Sequence, residues 1–172
     1  MTSHNATAEI LDPPLLPGGY GRANMVVGER APVVRSGSGC RLLDEYGDEK
    51  IDLNSNFTAL LHGHAHPLIT EAATRALEGG ASFGLPNSYE LEHARSLIDR
   101  IPWAEQVRYT NSGTEAVMTA IRVARAATGR DKVVIQRPAY HGTSSTVLPA
   151  LSDAARRGVP AAVAEQLVVI ET

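Results

Sequence analysis

The chain has 172 residues, of which 43% are hydrophobic and 20% charged, enough apolar material for a buried core and too much for a wholly disordered chain. Sixteen basic against nineteen acidic residues leave a net charge of −3, so there is neither the basic excess of a nucleic-acid binder nor an acidic tail. A lone cysteine, Cys40, cannot close an internal disulfide, no apolar run approaches a membrane span, and the polar start Met1–Glu9 lacks the order of a secretory signal; the expectation is a soluble cytoplasmic protein.

No repeat of solenoid length is present. Residues 1–14 are small and polar and read as a loose arm, and Pro17-Gly18-Gly19 continues an irregular entry. Pro32–Arg35, Arg41–Asp44 and Lys50–Leu53 are short apolar segments divided by the turn-rich Ser36-Gly37-Ser38-Gly39 and Tyr46-Gly47-Asp48-Glu49, a spacing that predicts a small antiparallel meander. After Pro67 the period changes. Leu68, Ala72, Ala73, Ala76 and Leu77 recur at helical spacing up to Gly79-Gly80. A second helix is expected to open at Asn87, with Glu90 as its capping partner, and to stop at Pro102.

From Gln106 the pattern alternates. Gln106–Thr110 reads as a short strand, Thr114–Thr128 as a helix closed by Gly129, and Val133–Gln136 as a strand covered on both faces. A weaker helix is expected over Leu151–Arg157, then a buried-type strand over Leu167–Glu171. The fold class is α/β. Residues 1–66 are expected to form the arm and meander, and 67–172 the first part of a larger domain whose mostly parallel sheet is incomplete. The expectation is therefore the N-terminal part of a larger unit, or a chain completed by a partner.

The most specific segment is Asn111-Ser112-Gly113-Thr114-Glu115-Ala116, where a strand gives way to a helix. The helix start leaves amide N–H groups without intrahelical acceptors, Gly113 permits close approach, and Ser112 and Thr114 add hydroxyl donors, the makings of a phosphate cradle. The same residues also make an ordinary helix cap. Tyr140-His141-Gly142 follows the strand Val133–Gln136 at the same carboxyl edge of a parallel sheet, where an aromatic ring can stack on a flat heterocycle. Read singly, it is a loop tyrosine with its polar tip in water.

In combination, Val107 to Ala116, Ile121 to Arg125, Thr128 to Lys132 and Tyr140-His141-Gly142 closely resemble the class III pyridoxal-phosphate aminotransferases. Gly63-His64-Ala65-His66-Pro67, Ala81 to Pro86 and Leu16-Pro17-Gly18-Gly19 resemble the glutamate-1-semialdehyde 2,1-aminomutase branch. The resemblance implies the N-terminal part of a fold-type-I architecture, a homodimer or a complementing chain, and amino-group transfer on an amino acid or amino-ketone with pyridoxal 5'-phosphate. It implies that Ser112, Gly113 and Thr114 hold the cofactor phosphate and that Tyr140 stacks on the ring with His141 beside it. Phe57, preceded by Asn56, falls where the family often has a tryptophan facing the substrate, and Arg22 aligns with an arginine that grips the substrate carboxylate. Arg137 departs from the aminomutases, which usually carry glutamate there.

This chemistry needs a lysine to hold the cofactor as a Schiff base and an acid on the ring nitrogen. Only Lys50 and Lys132 exist. One lies in the meander, the other at the strand end opposite the cradle, so the catalytic lysine is expected to be absent and the chain inactive alone. The alternatives are a truncated, non-catalytic relative that binds cofactor or a partner, or one half of a split enzyme. His62, His64 and His66 alternate but lack cysteine or acidic company, and no metal is expected. Cys40 is expected to pack as a small residue. Arg122, Arg125 and Arg130 are expected on a solvated helix face, and Trp103 packed at a helix end.

Overall fold

The computed structural model describes residues 33–171. The expected arm, the Pro32 start of the first strand and Arg22 lie outside them. The chain divides into two compact units, one ending at Gly84 and one starting at Leu85.

In the first unit, β1 (Val34–Ser38), β2 (Arg41–Asp44) and β3 (Glu49–Ile51) form an antiparallel sheet in chain order. The meander is as expected, but β1 runs through Ser36-Gly37-Ser38, so only Gly39 and Cys40 make the turn. Glycine at 37 serves a close approach instead. A Cβ there would lie 2.7 Å from Cγ of His64. The second turn is fixed by Asp44, which is 2% exposed. Its Oδ1 accepts from the amides of Tyr46 and Asp48 at 3.0 and 2.9 Å, and its Oδ2 pairs with Lys50. Helix α1 (Pro67–Glu78) begins with proline where no amide donor is required, and Gly79 caps it. Cys40 is exposed rather than packed.

In the second unit, α2 (Ser88–Arg100) is capped by Asn87, whose side chain accepts from the Glu90 amide at 3.0 Å. Helix α3 (Gly113–Thr128) is capped by Ser112 and ends at Gly129, whose φ of 66° is the left-handed geometry glycine adopts freely. β4 (Val133–Arg137) and β5 (Leu167–Glu171) pair in parallel, Val133 opposite Leu167 and Arg137 opposite Glu171. Ile135, Val147 and Ala150 form the buried core, with Val117 and Ile121 of α3 and Val133, Leu167 and Val169 of the sheet packed on it.

Several expectations are corrected. Gln106–Thr110 forms no strand. An extended segment becomes one only with a ladder partner, and here the tether is a side-chain bond from Tyr109 to Nδ1 of His93 on α2 at 2.8 Å. Leu151–Arg157 is not a helix. Two short 3-10 turns, Leu148–Ala150 and Ala154–Arg156, and the four-residue α4 (Ala161–Ala164) take its place, because Pro149, Ser152-Asp153 and Gly158 punctuate the run. Among the described residues the β4–β5 sheet is covered on one face only, since Val134 and Ile170 are 60% and 48% exposed. The apolar stripes of α1 and α2 are likewise exposed at Leu68, Leu77 and Leu91. Trp103 is exposed rather than packed. Arg125 is anchored rather than solvated, donating to the Asp131 carbonyl and to Oε1 of Gln166. No helix among the described residues is long and apolar enough to cross a membrane.

Candidate functional site

The start of α3 is built by two reciprocal bonds. Oγ of Ser112 accepts from the Glu115 amide at 3.2 Å, and Oε2 of Glu115 accepts from the Asn111 amide at 2.7 Å. The second bond reaches one residue further back than in an ordinary capping box. The first intrahelical bond runs from the Ala116 amide to the Ser112 carbonyl. The amides of Gly113 and Thr114 precede it, so neither has an acceptor within the helix. The segment is exposed at Ser112 and Gly113 and half-buried at Thr114. A Cβ at Gly113 would meet nothing within 4 Å, so the backbone there can be approached closely at the end where the helix dipole is positive.

The loop after β4 arrives at this point. The Thr143 amide donates to Oγ1 of Thr114 at 3.3 Å. Gly142 is buried at φ 95°, and a Cβ on it would stand 2.8 Å from the same oxygen and 3.0 Å from the Thr114 Cα. Only glycine allows that approach. His141 is fixed by a 3.0 Å contact between Nε2 and the Gln136 carbonyl at the end of β4, which makes Nε2 the protonated nitrogen. Tyr140, two residues before Gly142, is 58% exposed. The structure thus brings Thr114 of the first motif against the Tyr140-His141-Gly142 loop of the second, within one unit.

An anion fits these residues. Ser112 and Thr114 each use an oxygen lone pair within the protein and retain a hydroxyl proton to donate, beside two amides at a helix start. Glu115 is the acidic residue of the first turn, and its carboxylate is turned back onto the Asn111 amide.

Other expected residues lie in the first unit. Asn56 and Phe57 sit on a loop after β3, Phe57 being 48% exposed. Lys50 is paired with Asp44 and Asp48, and the hydrogen bond to Asp44 raises its pKa above the ordinary lysine value. Lys132 precedes β4 at its amino end, the end opposite the Tyr140 loop. The three alternating histidines separate into two arrangements. Nε2 of His64 lies 2.7 Å from Oδ2 of Asp52, whereas His62 and His66 rings sit 5.6 Å apart. Among the described residues no three potential metal ligands gather. Arg137 donates to the Ala150 carbonyl at 2.9 Å and pairs with Glu171 at 3.0 Å, a role in joining β4 to β5.

Sequence reasoning missed Thr143, the Glu115 reach and the Asp52–His64 pair. A signal existed for Asp52 alone: Asp two and three residues before Asn54 and Ser55 is the spacing of a side chain that caps a turn, whereas its pairing with His64 has no local signal.

The family described as Aminotransferase class-III matches residues 25–170. A glutamate-1-semialdehyde 2,1-aminomutase of Methanothermobacter thermautotrophicus is 46% identical over 112 residues, covering 65% of this chain and 27% of that protein. The crystal structure of an omega-transaminase from Sphaerobacter thermophilus superposes with a TM-score of 0.86 at 35% identity, over 98% of this chain and 42% of that one. A transaminase with PLP bound superposes at 0.85 with 42% identity, over 91% and 38% respectively. The chain therefore spans less than half the length of each of these relatives.

Proposed function

The chain belongs to the class-III aminotransferase family, and from that premise we propose that it supplies the phosphate- and ring-binding half of a pyridoxal 5'-phosphate site used for amino-group transfer. The architecture is the N-terminal part of fold type I, with which its solved relatives superpose. The observation that carries the reading is the seating of the Gly142–Thr143 loop on Thr114, which brings the Tyr140 segment toward the start of α3, where the Gly113 and Thr114 amides have no acceptor within the helix.

In this reading the amides of Gly113 and Thr114 and the hydroxyls of Ser112 and Thr114 bind the cofactor phosphate. Tyr140 stacks on the ring, and His141, held by the Gln136 carbonyl, fixes the loop that carries it. When bound, pyridoxal phosphate supplies the electron sink for breaking a bond at the amino carbon. Asn56 and Phe57 line the substrate side, with Arg22 as a carboxylate partner. The substrate is an amino acid or amino-ketone, and the 2,1-aminomutase-like and transaminase forms of the reaction share these residues. Residues 67–172 open the cofactor-binding large domain, and a homodimer or a complementing chain completes the site.

Equilibrium dialysis tests the reading. Pyridoxal 5'-phosphate is expected to bind more tightly than unphosphorylated pyridoxal, Thr114→Val to reduce that preference, and Tyr140→Ala to weaken both ligands by about three- to tenfold. Equal binding of the two forms to the unaltered chain would refute it.

A second reading, a cofactor- or partner-binding module without catalysis, is favoured by the two lysines. Lys50 is engaged by two carboxylates, and Lys132 lies at the wrong strand end. After borohydride reduction with pyridoxal phosphate, mass spectrometry is expected to find no stoichiometric adduct on either. An adduct confined to one of them, with amino-transfer activity, would make the chain catalytic by itself.

A further inference from the structure

Four consecutive residues other than glycine, Ser55, Asn56, Phe57 and Thr58, have φ of 47°, 52°, 58° and 68°. An L side chain in this region crowds its own backbone, so such a run stands only where its surroundings over-determine it. Here the surroundings are polar. Oδ1 of Asp52 accepts from the amides of Asn54 and Ser55, both at 2.9 Å. Oδ1 of Asn54 accepts from the Phe57 amide at 2.7 Å, and the Asn54 carbonyl from the Thr58 amide at 3.0 Å.

The carboxylate that starts this chain of bonds is itself held. Its Oδ2 lies 2.7 Å from Nε2 of His64, with the two side chains 9% and 25% exposed. His64 is locked to the meander by two backbone bonds with Gly39, at 2.8 and 2.9 Å, and its ring is pressed on Gly37, where a Cβ would stand 2.7 Å from Cγ. The Asp52 amide donates to the Cys40 carbonyl at 2.8 Å. The imidazole is thus anchored to the sheet, the carboxylate to the imidazole, and the loop to the carboxylate.

We infer that Asp52 and His64 are positioning residues that act as one clasp, holding the left-handed run in a single conformation and so fixing the direction in which Asn56 and Phe57 are presented. The clasp is independent of the proposed function; only what Asn56 and Phe57 would face, the substrate, rests on that reading. Asp52, whose carboxyl is held below the ordinary range first by His64 and then by the loop amides, acts through the loop.

The sequence contains two phenylalanines, Phe57 and Phe83, so labelling the full chain with para-fluorophenylalanine gives one fluorine signal from the loop and one internal reference. Asp52→Ala and His64→Ala are expected to shift and broaden the Phe57 signal, leave that of Phe83 in place, and speed amide exchange at Ser55 and Phe57 about tenfold. Asp52→Asn keeps an acceptor for the amides, and His64→Gln keeps a donor for the carboxylate; both should retain most of the native signal. Gly37→Ala displaces the ring without altering either clasp residue and should move the Phe57 signal too, which keeps the test open if an alanine variant fails to fold. An unmoved Phe57 signal in Gly37→Ala and in whichever alanine variants fold would overturn the clasp. So would loss of both fluorine signals in every variant, the conservative pair included, because that marks a general structural role. Pyridoxal phosphate takes no part in this measurement, so failure of the cofactor reading and failure of the clasp are read separately.

Discussion

At the start of α3 the chain is supported by apolar packing: Val117 and Ile121 rest on Ile135, Val147 and Ala150, and the exposed polar turn is carried by that core. The loop after β3 is held in another way. Among the described residues of the first unit none belongs to the buried core cluster, and the left-handed run there is held by a carboxylate, an amide side chain and an imidazole. A polar group at the first region can therefore change with small cost, because burial of the helix supplies most of the support. At the second, one carboxylate accepts from two backbone amides and meets an imidazole at once, and its loss is felt by all three.

The largest effect should separate the two regions. Ile135→Ala removes the centre of the apolar cluster and is expected to cost about 2–5 kcal/mol in a urea melt followed from the second unit, while amide exchange at Ser55 and Phe57 stays as it was. Equal loss of protection in both regions would break the comparison. Next, Gly142→Ala places a Cβ against Thr114 and asks alanine to hold a φ of 95°; about 1–3 kcal/mol of destabilisation is expected, together with loss of the preference for phosphorylated pyridoxal in dialysis. Ser112→Ala should cost only about 1 kcal/mol, read from the melt, because one cap bond is lost and the packed face remains.

The smallest effect is an acid one. Asp44 and Asp52 titrate below the ordinary value of 3.8, the first chiefly through its hydrogen bond to Lys50, the second chiefly through His64. Near those values the unfolded chain binds more protons than the folded one. Their contribution to stability is therefore complete above about pH 4 and is lost as pH falls through the lower folded values. Asp44→Asn should flatten the acid limb of a pH titration of first-unit stability, with the second unit unchanged. An undiminished acid limb in that variant would assign the sensitivity elsewhere.

What the sequence made legible is local chemistry. Asn87 with Glu90 and Ser112 with Glu115 mark helix starts, Gly79 and Gly129 mark ends, and the apolar runs of β4 and β5 announce a parallel pair, because each signal acts within a few residues. Ser112, Gly113, Thr114, Tyr140 and His141 could be named as candidates because their types and order carry the family resemblance that implies their roles. The closure of one motif on the other through Gly142 and Thr143 could not, since it depends on where a loop lands. Gln106–Thr110 has strand-like composition, but its state depends on a distant ladder partner. Ser55 to Thr58 contains no glycine to announce its left-handed geometry, and the clasp that imposes it joins Asp52 to a histidine twelve residues away.

The central claim is that the amides opening α3 receive the phosphate of pyridoxal phosphate. Nitrogen–proton NMR spectra of the full chain, titrated with pyridoxal 5'-phosphate and then with inorganic phosphate as competitor, address it directly. The expected result is a saturable downfield shift confined to the Gly113 and Thr114 amides and their neighbours across the Tyr140 loop, reversed by the competitor. Static Gly113 and Thr114 resonances, with ligand-induced shifts elsewhere or nowhere, would contradict it.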